Sequence, residues 1–288
     1  MQTLLNSSRL KVTINHFGAE VCSIKNNAGI EFMWQAHKDV WPRHAPVLFP
    51  IVGRLKDNSY TFNNTQYQLS QHGFARDKNF ELVERTENSC VFQLVADDGS
   101  KKNYPFGFVF QIHYRVEEST LITTYKVINP SAGEIFFSVG AHPGFNCPLL
   151  PGETFEDYYL EFEDKTYDIT QLSEGLRTPI KTKLALENNK LFLSARLFDN
   201  DALVFENGQI NTVSLCSVRS AHRITLACKN WPYFGIWAKK GNTNFICLEP
   251  WHGIAGRAEG SAELKDKDGI VQLGAKQDFS CSFSIAIQ

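Results

Sequence analysis

Short runs of alternating apolar and polar residues, each soon ended by Gly, Pro, Asn or Asp, fill most of this chain. Alternation has the period of a strand, and the spacing of a long amphipathic helix appears nowhere. Without helices to cover them, the apolar faces must be buried sheet against sheet. The expected architecture is all-β, a large antiparallel β-sandwich formed by residues 1–288 as one domain. Residues 60–69 read as a hairpin around Asn63-Asn64, and residues 203–216 as a second around Asn207-Gly208. Asn-Gly is the stronger signal, because both turn positions tolerate positive φ. Further strands are expected over 109–115, 121–128, 135–141, 158–162, 223–227, 234–238, 245–248 and 279–287. Short helical turns are expected near 172–177 and 185–194. The polar stretches 97–103 and 263–269 read as hairpin ends.

Composition narrows the partners. Lys and Arg total 29 against 31 Asp and Glu, a formal charge of −2, which leaves no footprint for nucleic acid or an anionic membrane. The expected partner is a small molecule, bound by a monomer or homodimer. No run approaches the roughly 20 apolar residues of a membrane span, and residues 1–8 lack a signal-peptide pattern. The seven cysteines are scattered, with no C-x-x-C pair, and read as reduced core residues of a cytoplasmic protein.

Three segments join titratable side chains to rigid or glycine-containing backbone: Gln71–Asp77, Gly140–Asn146 and Leu248–Gly253. Proline follows both His142 and Glu249. A residue before proline is held extended, which limits how its side chain can be aimed, and fixed aim is what acid–base catalysis requires. Glu249 ends the apolar run Phe245-Ile246-Cys247-Leu248, where a carboxylate is costly unless paired. His72, Arg54 and Arg76 are weaker candidates taken singly. The eight histidines show no metal-ligand spacing, and there is no Walker loop, G-x-G-x-x-G or G-x-S-x-G. Neither metal nor cofactor is expected.

Four motifs in order resemble the aldose 1-epimerase (galactose mutarotase) family: Val52-Gly53-Arg54-Leu55, His72-Gly73-Phe74, Ala141–Asn146 and Leu248-Glu249-Pro250-Trp251. Phe49–Arg54 and Glu249-Pro250-Trp251-His252-Gly253-Ile254 bring the match nearest its LacX-like branch. The resemblance implies a galactose mutarotase-like supersandwich with an open cleft on one sheet, and interconversion of the α and β anomers of an aldohexose. It implies that His142 protonates the ring oxygen while Glu249 removes the anomeric hydroxyl proton, with His72 and Arg54 holding sugar hydroxyls. A sugar-binding aspartate is matched by Asp201, or by Asp199 in a shifted register. Galactose preference does not carry over, because Gly53 stands where galactose mutarotases pair Asn with Arg.

Ring opening needs one proton delivered and one removed, so one His and one Glu suffice. Burial beside Trp251 should raise the Glu249 pKa and a nearby Arg54 should lower it. Trp251 and Phe145 could offer apolar faces to the sugar. Arg76, helped by Arg43, could instead meet a phosphate, so the substrate class is a sugar or a sugar phosphate. A carbohydrate-binding or sensor protein that lost turnover is the alternative from another class, and a glycoside hydrolase using Asp201 and Glu249 is a more distant one. His252 reads as a solvent-facing loop residue.

Overall fold

The computed structural model describes residues 1–288. Two large antiparallel sheets carry the fold. The nine-stranded sheet runs, edge to edge, through Lys190–Phe192, Tyr158–Phe162, Thr212–Ser217, Arg223–Ala227, Asp278–Ile287, Thr120–Ile128, Val109–Glu117, Ser89–Val95 and Glu81–Arg85. The eight-stranded sheet runs through Leu176–Ala185, Thr166–Ser173, Leu203–Glu206, Tyr233–Trp237, Phe245–His252, Val139–Ala141 and Val47–Leu48, with Gly144–Asn146 also paired to Phe245–His252. Strand alternation turns one apolar face of each sheet toward the other, giving a continuous core. Phe162 meets Phe205 and Tyr167, and Phe49 stacks on Phe110, across that layer.

The strand Phe245–His252 is buried on nearly its full length because both its faces are covered. Ile246 and Leu248 point into the core between the sheets. Phe245, Cys247, Glu249 and Trp251 take the opposite face, as a period of two requires. One strand thus supplies both core and cleft.

Most expected strands form within one or two residues of their proposed bounds, and residues 59–68 do form a hairpin, with Tyr60 stacked on Tyr67. Others are corrected. Asn207 and Gly208 do adopt positive φ, but the flanking strands do not pair. Leu203–Glu206 pairs in the eight-stranded sheet and Thr212–Ser217 in the nine-stranded one, so residues 207–211 cross between layers. The reason lies in Thr212–Ser217, which is buried on both faces and needs a partner on each edge. No helical turn forms at 172–177 or 185–194. Glu174-Gly175, both at positive φ, instead turn a long hairpin between Thr166–Ser173 and Leu176–Ala185, and Asn188-Asn189 turn into Lys190–Phe192. Residues 135–141 split at Ser138 into strands of different sheets. Stretch 97–103 does link two paired strands, through a short helix capped by Asp97. Stretch 263–269 joins strands of separate sheets and is not a hairpin end. All seven cysteines are free, six of them buried. No helix is long and apolar enough to cross a membrane.

Candidate active site

A cleft of about 310 Å³ opens on the outer face of the eight-stranded sheet, floored by Glu249 and Trp251. The indole of Trp251 lies flat because both neighbouring strands present glycine to it. A Cβ on Gly235 would come within 2.3 Å of the ring and one on Gly140 within 2.7 Å. Gly140 and Tyr233 are the register partners of Trp251, and Gly235 is that of Glu249. The two glycines therefore fix the indole and, through it, the wall beside the carboxylate.

His142 leaves the end of Val139–Ala141, and the carbonyl of Pro143 beside it accepts from Leu248 N–H at 3.2 Å. Its Nε2 stands 3.2 Å from Glu249 Oε2. His142 is 8 % exposed and Glu249 1 %. His142 Nδ1 and Trp251 Nε1 are also buried without hydrogen-bond partners, and Glu249 Oε2 has none beyond its contact with His142. Buried polar atoms without hydrogen bonds are rare, and Arg76 Nε joins these in the same cleft. Burial holds the Glu249 carboxyl well above its usual range; the Trp251 indole lowers it and the Asp201 charge raises it. Burial likewise depresses His142 to about 3, opposed by its own backbone and reinforced by Arg76 and Arg43. Desolvation thus prevails, and Arg54 plays no part in it.

His72 sits at φ 67, a left-handed conformation, and is locked to Gly53 in both directions. Its N–H donates to the Gly53 carbonyl at 2.9 Å, and Gly53 N–H donates to its Nδ1 at 3.1 Å. A nitrogen that accepts carries no proton, so the ring is neutral with its proton on Nε2. Burial, His142, Arg76 and Arg43 all push its pKa down, in agreement. His72 is therefore a fixed donor toward the cleft, with the Gln71 amide 3.2 Å from Nε2.

Asp201, at φ 76, lines the cleft, and its Oδ1 accepts from Ala202 N–H at 2.7 Å. Asp199 is exposed and does not line it. Arg76 lines the cleft as well, donating to the Gln71 carbonyl at 2.7 Å while its Nε–H, without a hydrogen bond, stands 3.7 Å from Asp77 Oδ2. Arg43 pairs with Asp77 at 2.9 Å.

Other expected site residues lie elsewhere. Arg54 sits at the rim, its guanidinium donating to the Glu174 carbonyl at 2.9 Å, and is not among the lining residues. Phe145 is wholly buried in the core and cannot meet a ligand. His252 points away from the cleft, wedged between Trp231 and Phe279, where burial lowers its pKa to about 4. Alternation explains this, since His252 follows Trp251 directly. Sequence reasoning missed Trp41 and Trp237. Trp41 stacks on His142 with centroids 4.9 Å apart, and Trp237 meets the same ring edge-on at 5.7 Å. Only the Trp41-Pro42 pair between two histidines hinted at the first, and the register of Trp237 opposite Cys247 was not readable.

A larger groove of about 590 Å³ lies beyond segment 254–257, and many of its charged groups are bonded to neighbours. Arg177 pairs with Asp268 and Glu206, Asp266 accepts from Ser261, and Glu263 from Thr61. The smaller cleft is where unsatisfied groups collect.

A profile of aldose 1-epimerase matches residues 1–262. The chain belongs to the aldose 1-epimerase family. The LacX proteins of Lactococcus lactis subsp. lactis, plasmid and chromosomal, are each 31 % identical over 299 residues, covering 98 % of both chains. A galactose mutarotase related enzyme from Lactobacillus acidophilus superposes with a TM-score of 0.96 at 37 % identity, over 100 % of this chain and 97 % of that one. A galactose mutarotase-like protein from Lactobacillus casei gives 0.92 at 28 % identity, over the full length of both. The all-β architecture is thus that of the galactose mutarotase-like structures. Within this family member, the motif positions His72, His142, Asp201 and Glu249 face one cleft.

Proposed function

We propose that this protein interconverts the α and β anomers of an aldohexose, with His142 as the acid and Glu249 as the base. The observation that carries the reading is the buried contact between His142 Nε2 and Glu249 Oε2, flanked by unpartnered atoms. In the cyclic sugar, the ring oxygen and the anomeric hydroxyl share one carbon, so a donor and an acceptor this close can serve both at once. Burial favours the uncharged pair, and transfer of the carboxyl proton across the 3.2 Å contact gives the reactive form with His142 protonated and Glu249 ionised. His142 protonates the ring oxygen as Glu249 takes the hydroxyl proton, and the ring opens to the aldehyde. Both groups are then uncharged, which is the pairing a dry cleft favours. Rotation about the bond next to the carbonyl presents its other face, and the same two protons return as the ring closes. The total charge of the pair never changes, so the buried site is spared a net charge during turnover.

His72 donates to a sugar hydroxyl through Nε2–H, Asp201 accepts from one, and Trp251 offers an apolar face to the C–H side of the ring. Trp41 stabilises the His142 imidazolium through its π face. Trp41→Ala is expected to slow exchange roughly three- to thirtyfold, with Trp41→Phe retaining most of the rate; equal loss in both would remove the electrostatic role.

Polarimetry on freshly dissolved α-anomers tests the reading. Faster decay of optical rotation with protein than without supports it. Sugar binding with no acceleration across a panel of aldoses would instead make the protein a binder.

A second reading rests on Arg76, which lines the cleft with an Nε–H that makes no hydrogen bond, although Asp77 lies 3.7 Å from it. If the substrate is a hexose 6-phosphate, Arg76→Ala should lower the rate on it about 10- to 100-fold, a lost charged hydrogen bond, while sparing the unphosphorylated sugar. An unchanged phosphosugar rate removes this reading.

A further inference from the structure

Cys247 lies two residues before Glu249 on the cleft face of the same strand, and its Sγ is close to both members of the pair. One ligand atom from each of His142, Cys247 and Glu249 falls within 4.8 Å of the others, and this is the one such group in the chain. We propose that these three side chains form a latent site for a thiophilic divalent cation, Zn²⁺ in particular, whose occupation disables the acid–base pair. The metal-binding part rests on geometry alone, and the inhibition rests on the function proposed above.

The donor set is one imidazole nitrogen, one thiolate and one carboxylate oxygen, all within zinc's ligand range. His142 Nε2 and Glu249 Oε2, at 3.2 Å, already stand about as far apart as two ligands on a tetrahedral zinc with bonds near 2.0–2.1 Å. Sγ needs only a side-chain adjustment to reach its longer bond of about 2.3 Å. Two further observations point to a ligand. Glu249 Oε2 is buried with no partner beyond His142 Nε2, and Cys247 itself is 0 % exposed. A cation would give Glu249 Oε2 and His142 Nε2 one shared partner. The fourth position faces the cleft, where a water would complete the tetrahedron.

The proton balance is explicit. Binding expels the thiol proton and the proton shared by His142 and Glu249 into solvent, and leaves three metal–ligand bonds. No electron moves. A histidine bound through Nε2 cannot donate to a ring oxygen, and a coordinated carboxylate is a poor base, so exchange stops. Linear spacing could not reveal this site, because His142 and Cys247 lie about a hundred residues apart and meet through pairings such as Gly144↔Cys247.

The test is titration of the untagged, reduced, full-length protein with Co²⁺, read by absorption. Tetrahedral d–d bands and a thiolate-to-cobalt charge-transfer band are expected in the wild type, with Zn²⁺ displacing both. In Cys247→Ala, and in the closer isostere Cys247→Ser, the charge-transfer band should vanish and affinity fall at least about 100-fold, one ligand in three being lost. Absence of the bands in the wild type, or their persistence in both variants, overturns the site. The inhibition is read separately. Zn²⁺ should suppress wild-type anomer exchange at least tenfold, reversibly with chelator, and leave Cys247→Ala within about twofold of its metal-free rate. Equal suppression in both proteins overturns the role of Cys247. A wild type without exchange would sink the proposed function, while the cobalt spectra would still decide the metal site.

Discussion

His142→Asn and Glu249→Gln each lower the rate of anomer exchange by about 10²–10⁴-fold, and the double variant loses little more than either alone. The near-equality follows from the proton circuit. One proton enters as another leaves, so removing either group stops both transfers. Neither replacement should unfold the protein. Burial already pushes the Glu249 carboxyl toward its uncharged form, so a neutral amide of the same shape suits the dry site. Thermal melts of Glu249→Gln should match or exceed the wild type. Exchange rates near wild type in either variant would mean that another residue moves the protons.

Gly235→Ala is the second large effect, and it acts through shape. The added methyl would sit 2.3 Å from the Trp251 ring, which is trapped between Gly235 and Gly140. Something must give, and overpacking of this kind costs about 1–3 kcal/mol. The indole is the element that must move, because the nearest atoms the methyl meets all belong to its ring. Its displacement closes the cleft above Glu249. A lowered melting temperature together with at least tenfold weaker sugar binding is expected, measured by calorimetry and by ligand-observed NMR. A variant that binds sugar normally would show that Trp251 can shift without consequence for the site.

The pattern of alternation was enough to read the strand class and many strand positions, because period two survives in strands such as Val109–Glu117, Thr120–Ile128 and Arg223–Ala227. It failed where pairing depends on distant sequence. Asn207-Gly208 adopts the turn backbone its residues favour, yet Thr212–Ser217 is buried on both faces and finds neighbours 50 residues back and 10 forward in the chain. Local turn chemistry cannot show that. The order of motifs placed His72, His142, Asp201 and Glu249 together, and proline after His142 and Glu249 marked the two groups that meet. Arg54 was misplaced because a motif position says nothing of side-chain direction, and its guanidinium turns to the Glu174 carbonyl. Phe145 and His252 follow the parity of their strands into the interior. Trp41 escaped notice because its stacking on His142 joins residues about a hundred positions apart.

The most direct test of the central claim is magnetisation transfer between the α and β anomeric protons at equilibrium. Glucose, galactose and glucose 6-phosphate would be compared with wild-type protein, His142→Asn and buffer alone. Exchange accelerated by the wild type on at least one sugar, and returned to the buffer rate by His142→Asn, is the predicted result. Exchange that stays at the buffer rate with every sugar, despite binding in the cleft, would contradict the account.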